Sequence, residues 1–505
     1  MEPAEADAPR TSLSTQHLNR HLRGHAVRGG VAQTLAEGLL VLIRFGYLIV
    51  LARLLTPRDF GLVAMALAFT ELFECVRSAG LPVAIVQQGE VSQTEASTVF
   101  WVNAGLSLAV LLLFWFGSPV LAGFYGEESL IWIAPALAAA GFVDGLGSQH
   151  QALLRRQMRF VPLALSRIGA SIASRLLAVG AALYGAGPWA LVVQRFALAT
   201  LLCGAVWLVC AWRPGLPRRG ESARDLLTFG GFAAGAAFVR SLSRRLVDVL
   251  IGRFIGTASL GLYGRAYTLL NLPLEINGPI GSVATAALSR VQSEPDRYRA
   301  FYRKALLPTI SVGMPLVLFL FLEAEVAVLT FLGPQWTEVV PVFRWLVPAA
   351  FVSTFTRSAR WLQISSGRAD REFRWWLIEL PVQLGALCIG LPYGLVGAAI
   401  AVAATHLLVA PFKIGYAIAP TPITTRDVLS ILWRPTLASV SAGLLATVLF
   451  RSLPALAPPV DFFARAGLYG ALYAGLWVGL PGGLSAFRQL LRLRRELRPA
   501  ATEGS

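Results

Sequence analysis

The amino-acid sequence predicts an all-α integral membrane protein of about 14 transmembrane helices: two six-helix lobes related by an internal repeat, then two further helices at the carboxyl end. Three observations lead there. Hydrophobic residues make up 55% of the 505 and charged residues only 14%, a balance that belongs to a polytopic membrane protein rather than to a soluble domain. The stretch 53–70, RLLTPRDFGLVAMALAFT, returns as 253–271, RFIGTASLGLYGRAYTLLN, with Arg53, Gly61, Leu62 and Ala66 answered by Arg253, Gly261, Leu262 and Ala266. The arginines, finally, gather on alternate connections between apolar runs. Repeats built from membrane spans point to transporter architecture, in which two bundles meet around a central site and rock against each other.

Taken in order, residues 1–28 form a polar tail without an apolar run, so they are not a signal peptide. His17, His21 and His25 share helical spacing there, but no carboxylate or cysteine completes a metal set, and a solvated or membrane-surface helix is the expectation. Fourteen spans follow, at 29–52, 60–80, 97–116, 129–147, 163–184, 189–211, 229–252, 260–284, 305–322, 338–359, 375–392, 395–416, 429–450 and 463–483. The expected organisation is an amino-terminal lobe at 29–212, a cytoplasmic linker at 213–228, a second lobe at 229–416, two added helices within 417–483 and a basic tail at 484–505. Cys75, Cys203, Cys210 and Cys388 all lie in apolar runs and read as small core residues rather than a disulfide framework.

Charge fixes the expected orientation. The formal net charge of +16 would suggest nucleic acid in a soluble chain, but here the cations sit in short loops and tails. One set of connections carries most of them, among others Arg20, Arg23, Arg155, Arg156, Arg218, Arg219, Arg299, Arg303, Arg371, Arg374, Arg494 and Arg495; the other holds only Arg53, Arg58, Arg253 and Arg451. The positive-inside rule then puts both termini in the cytoplasm. Each repeat holds an even number of spans, so its axis should lie along the membrane normal. Two echoes support the register: Tyr184-Gly185 and Tyr393-Gly394 mark tight turns between spans five and six of each half, and LLRRQMRF after span four matches SSGRADREFR after span ten. GxxxG spacings at Gly231/Gly235 and Gly475/Gly479 are assigned to helix packing.

At these stretches the chain resembles the oligosaccharide flippase branch of the multidrug/oligosaccharidyl-lipid/polysaccharide exporter superfamily, the bacterial Wzx-like proteins. The resemblance is carried by LARLLTPRDFGLVAMALAF, GLPVAIVQQGEVSQTEASTVFW, LIGRFIGTASLGLYGRAYTL and LSRVQSEPDRYRAFYRKAL, and covers nearly the whole chain. It implies two six-helix lobes around a cavity, a bacterial inner-membrane location, and movement of a polyprenyl-pyrophosphate-linked glycan to the periplasmic face. A polysaccharide polymerase and export machinery are the further partners it implies. It also implies cavity arginines in the first, second and eighth spans, which matches Arg44, Arg77 and Arg265 by helix though not by a tight local motif.

Charges within spans are costly and normally face protein or a wet cavity. Span one carries Gln33, Glu37 and Arg44; span two Glu71, Glu74 and Arg77; span seven Arg240, Arg244, Arg245 and Asp248; span eight Arg265 and Glu275. The first two spans of both halves are thus the polar ones. Guanidinium forks suit pyrophosphate oxygens, so Arg44, Arg77, Arg240, Arg244 and Arg265 are the candidate substrate ligands. Arg167, Arg175, Arg195, Arg245 and Arg344 rank below them, able to snorkel or pair. The competing structural reading pairs Glu74 with Arg77 and Arg244 with Asp248. Glu37, Asp144, Glu275 and Glu379, with His406, are the candidate binders of a coupling ion, against a structural role for each.

No cofactor or catalytic metal is expected. GxxxxGK[ST] is missing and the chain has only Lys304 and Lys413, so an ATP-driven mechanism in this polypeptide is disfavoured. HExxH, GxSxG and zinc-type cysteine spacings are missing too, and no connection is long enough for a glycosyltransferase or polymerase site. Within transporters the rival is a drug exporter of the same superfamily. That function favours an acidic cavity, whereas arginine exceeds acid in spans one, seven and eight.

Overall fold

A computed structural model of the chain describes residues 22–79, 92–216, 238–239, 241–275, 278–452 and 457–484. Among them no strand occurs, and the described parts of the fourteen expected spans lie mainly on helix; residues 229–237 and 240 of span seven fall outside them. The first unit, Met1–Gly264, contains α1 (Leu22–Leu54), α2 (Pro57–Ala79), α3 (Gln93–Tyr125), α4 (Leu130–Arg156), α5 (Phe160–Leu183), α6 (Trp189–Val209) and α7 (241–254). It ends inside α8 (Thr257–Glu275). The second unit, Arg265–Ser505, continues through α9 (Gly278–Arg290), α10 (Pro295–Leu322), the short α11 (Ala324–Phe331), α12 (Val339–Thr356), α13 (Ser358–Ser365), α14 (Ala369–Gly390), α15 (Gly394–Ile418), α16 (Thr425–Ser452) and α17 (Pro458–Gly479).

Among the described residues eight segments are long and apolar enough to cross a membrane, α3 to α6, α10 and α16 among them. The surface is correspondingly apolar: Phe116 is 75% exposed, Val120 76% and Leu208 86%. Patches of that kind are rare on soluble monomers and suit acyl chains. This is a multi-pass membrane protein.

The internal repeat is visible in the packing. In the first unit α3 packs on α4, α5 on α6 and α4 on α6; in the second, α10 packs on α12, α14 on α15 and α12 on α15. Spans three to six and nine to twelve therefore share one contact scheme. The turn glycines agree, Gly185 at φ +77° between α5 and α6 and Gly394 at φ +73° between α14 and α15. Met158 and Gly367, at φ +52° and +71°, likewise close the two arginine-bearing loops. A left-handed backbone is easy for glycine and uncommon for methionine. At Met158 the conformation lets Arg159 N–H reach back to Leu154 O at 2.9 Å, as Arg368 N–H does to Gln363 O.

Local caps set the helix starts. Ser92 and Glu95 form a reciprocal capping box on α3. Thr56 with Asp59, and Thr424 with Asp427, repeat the same exchange ahead of α2 and α16. Inside the second unit Tyr298 and Tyr302 are fully buried, and their hydroxyls pair with Ser365 at 2.6 Å and Ser358 at 3.0 Å. An orphaned hydroxyl there would cost about 1–3 kcal/mol. The first unit has its own core at Phe100, Leu153, Leu163, Val206 and Trp212, with His150 stacked 4.4 Å from the Trp207 ring.

Several expectations are corrected. Helix α1 already includes residues 22–28, ahead of the expected boundary at 29. The connection after span nine holds α11 and a 3-10 turn, Pro334–Trp336, that apolar periodicity did not mark. Span ten divides at Arg357 into α12 and α13. A Cβ on Gly475 or Gly479 would meet nothing within 4 Å, so that GxxxG makes no close helix contact among the described residues; Gly231 and Gly235 lie outside them. Cys388 is exposed rather than a core residue, while Cys210 is buried. Close backbone approach occurs instead at Gly61/Gly261 and Gly390/Gly397.

Candidate functional site

The repeated stretch forms a crossing. A Cβ on Gly61 would overlap the carbonyl of Thr257, and one on Gly261 would overlap the carbonyl of Pro57, both far inside 3.0 Å. The contact is reciprocal, because Pro57 and Gly61 occupy in one copy the places of Thr257 and Gly261 in the other. Only glycine allows the first turns of α2 and α8 to meet backbone to backbone. Glu127 ties the same place together: its Oε2 accepts Arg58 Nη2 at 3.0 Å and its Oε1 accepts Thr257 Oγ1 at 2.5 Å.

Further along α2, Glu71 gathers charges from two other helices. Its Oε1 accepts Nη2 of Arg195 on α6 and its Oε2 accepts Nη2 of Arg245 on α7; Arg245 Nη1 also donates to Asp248 Oδ2 at 3.1 Å. Asp248 thus pairs with Arg245 and not with Arg244, which is exposed on α7. Sequence reasoning named all of these residues but ranked Arg195 and Arg245 low, because it looked for partners within one helix. The pairs span 124 and 174 positions, beyond any local spacing rule.

On α1, Glu37 accepts from Arg167 of α5 at 3.0 Å, Arg44 is exposed, and the Arg175 guanidinium lies 5.4 Å from the Tyr47 ring centroid. Arg175 also donates to the Ser171 carbonyl at 2.8 Å. Asp144 is half-buried on α4 and Arg265 half-buried on α8. Arg240 and the side chains of Gln33, Arg77 and Glu275 lie outside the described residues, as does the His17/His21/His25 set apart from the backbone of His25. No group of three or more metal-type ligands occurs among the described residues.

The second unit handles charge differently. Glu379 is buried and accepts Lys413 Nζ at 2.7 Å and Trp375 Nε1 at 2.5 Å. Arg465 is held by Asp461 at 2.8 Å and by Glu323 at 3.2 Å. Arg344 reaches Glu325 only at 4.0 Å on an open surface, and His406 Nδ1 sits 2.9 Å from Val402 O in its own helix. An apolar cavity of about 630 Å³ opens between α10, α12 and α16, walled by Met314, Phe351, Phe355, Leu432, Trp433 and Val440.

A helical membrane protein with a doubled contact scheme and arginine-rich first spans is a transporter-type fold, and known proteins agree. Residues 50–341, more than half of the chain, match the family described as "Polysaccharide biosynthesis protein". The chain belongs to that family. Lipopolysaccharide biosynthesis protein WzxC of Escherichia coli (strain K12) is 24% identical over 427 residues, 82% of this chain and 85% of that one. Teichuronic acid biosynthesis protein TuaB of Bacillus subtilis (strain 168) is 26% identical over 310 residues, 61% of this chain; the match spans 64% of TuaB. Succinoglycan biosynthesis transport protein ExoT of Rhizobium meliloti (strain 1021) is 25% identical over 351 residues, 69% and 71% of the two chains. Among solved structures, the lipid II flippase MurJ in an inward closed conformation superposes with a TM-score of 0.72 at 13% identity, covering 92% of this chain and all of that one. An inward-facing multidrug resistance MATE family transporter of the MOP superfamily follows at 0.57 and 15%, covering 78% and 96%. The fold is that of flippases and transporters, and the recognisable sequence is that of polysaccharide biosynthesis and transport proteins.

Proposed function

We propose that this chain moves a polyprenyl-pyrophosphate-linked oligosaccharide from the cytoplasmic to the periplasmic face of a bacterial inner membrane, for surface polysaccharide assembly. The observation that carries the reading is the concentration of partly exposed arginines on polar helices of a flippase-type fold. Guanidinium forks replace the hydration that a pyrophosphate loses on entering a partly dry space. The apolar cavity walled by Phe351, Phe355 and Trp433 offers a surface that a prenyl chain can cover. Names of relatives, a lipid II flippase and lipopolysaccharide and succinoglycan proteins among them, support the same class of cargo.

In this reading the lobes at 29–212 and 229–416 rock against each other, with the linker at 213–228 and both tails in the cytoplasm, and Arg44, Arg77, Arg240, Arg244 and Arg265 face the cargo. A coupling ion would bind at Glu37, Asp144, Glu275 or Glu379; at Glu37 and Glu379 it would first exchange Arg167 and Lys413. A polymerase and export proteins would act on the delivered glycan. The decisive experiment is deletion in the native host. Lipid-linked oligosaccharide should accumulate on the cytoplasmic leaflet while the surface polysaccharide disappears. Incorporation of sugar from a nucleotide donor by the purified protein would show an enzyme instead.

A further inference from the structure

Residues 210–216 leave the end of α6 without forming a helix, yet most of their backbone groups are bonded to protein. Three side chains of α3, spaced i, i+4 and i+8 on one face, hold them: Gln93, Ser97 and Trp101. Gln93 Nε2 donates to Arg213 O at 2.9 Å while its Oε1 accepts Trp212 Nε1 at 2.6 Å. Ser97 spends its own proton on Gln93 O at 2.7 Å and accepts Gly215 N–H at 2.9 Å; Trp101 Nε1 donates to Gly215 O at 2.8 Å. Arg213 folds back onto the carbonyls of Cys210 at 2.6 Å and Trp212 at 2.8 Å, its guanidinium 5.6 Å from the Trp207 ring centroid. Trp212 itself is buried with Phe100, Leu153 and Val206. A connection that only joins two spans has no need of such fixtures.

We propose that residues 210–216 are a strap that stays closed on α3, with Gln93 as the residue that positions it, so that this stretch travels with the first lobe and takes no part in bending. Both ends of the Gln93 amide are in use, so turning it to release Arg213 also strips the buried Trp212 indole of its acceptor. Opening therefore breaks several contacts together, and motion is drawn from segments that lack such ties. The Gly215 N–H and carbonyl, both held by α3, carry the closure almost to the end of the strap. Residues 213–216, expected to begin the linker, thus belong to the first lobe. The clause about movement rests on the two-lobe transport reading above; the strap itself does not.

Two measurements on the full-length protein test it. In a chain whose native cysteines are replaced by alanine, Ser97→Cys with Gly215→Cys sets two thiols within bridging reach, since a Cβ on Gly215 would stand 3.5 Å from Ser97 Oγ. The bridge should form on mild oxidation of membrane vesicles, and glycan export should be the same in the oxidised and the reduced protein. Failure of the bridge to form, or export that is lost on oxidation and regained on reduction, overturns the proposal. Cys210, buried at the root of the strap, is the second reporter. With Cys75, Cys203 and Cys388 replaced by alanine, N-ethylmaleimide should label it slowly in the parent and about tenfold faster in Gln93→Leu at an unchanged thermal midpoint, because a local opening then has fewer bonds to break. Gln93→Glu keeps the acceptor for Trp212 but loses the donor to Arg213, and should fall between the two. Equal labelling of the parent and Gln93→Leu overturns the positioning role. If Gln93→Leu does not accumulate, Trp101→Phe decides, since it keeps an aromatic ring and loses the bond to Gly215; unchanged labelling there overturns the strap. A deletion strain that keeps its polysaccharide removes the transport reading and with it the export comparison, and the bridge and the Cys210 labelling then decide the strap alone.

Discussion

The two units of this molecule treat intramembrane charge in opposite ways. In the second unit two ion-pair sets are sealed: Glu379 keeps 5% of its side chain exposed against Lys413, and Glu323 keeps 7% beside Arg465, which Asp461 also holds. In the first, Glu71 is stretched between two arginines that remain substantially exposed. Desolvated ions survive only with partners, and removing one partner strands the other, whereas partly wetted ions can exchange partners at lower cost. The contrast separates charges that hold helices together from charges placed to meet something that arrives.

The sharpest way to break this contrast is to make the same isosteric change on both sides. Glu379→Gln strands Lys413, whose side chain is 23% exposed, and removes an anionic acceptor from Trp375. We expect a loss on the order of 3 kcal/mol, read as falling membrane abundance and a lower thermal midpoint in detergent. Glu71→Gln should cost clearly less on the same measurements, because its arginines reach water or headgroups. Equal destabilisation by the two variants would mean that the Glu71 cluster is structural too.

A second comparison concerns the glycine contacts. Gly390 and Gly397 meet across the short connection between α14 and α15, each placing a would-be Cβ against the other's carbonyl. Gly61 and Gly261 meet across the repeat. A methyl group at Gly397 should damage a hairpin that must form once and stay formed, costing about 1–3 kcal/mol of stability. At Gly261 it should instead hold the first turns of α2 and α8 apart, leaving the thermal midpoint nearer to wild type while surface polysaccharide output falls. Loss of protein in Gly261→Ala comparable to that in Gly397→Ala would show that the crossing is a fixed packing contact.

Much of the fold was legible because membrane helices obey one rule: about 20 apolar residues, with arginines at their ends. The repeat was legible because Gly61/Gly261 and Gly185/Gly394 are places where backbone geometry admits little but glycine. Short elements escaped. Helix α11 and the Pro334–Trp336 turn are too brief to show a period, and the change at Arg357 from α12 to α13 carries no proline or glycine to announce it. The site was half legible: Glu71, Arg245 and Asp248 were recognised as intramembrane charges, but partners on other helices cannot be found from spacing along one. For the same reason Lys413 and Arg465, which complete the ion pairs of the second unit, were not singled out.

The smallest expected effect tests where the line between the two kinds of charge falls. Glu37 and Arg167 pair at 3.0 Å between α1 and α5, with side chains 43% and 29% exposed. Their exposure resembles that of the Glu71 cluster, but Arg167 comes from a different helix than the arginines that meet Glu71. At that exposure the pair should contribute less than about 1 kcal/mol. Glu37→Gln should therefore leave abundance and thermal midpoint almost unchanged. If Glu37 instead binds a coupling ion, the same variant should lose glycan export while remaining abundant, and the residual export should no longer respond to the pH or sodium gradient. Export measured in vesicles under imposed gradients distinguishes these outcomes: retained, gradient-dependent export makes Glu37 a helix-to-helix tie, and lost gradient dependence in a well-folded protein places it on the path of the ion.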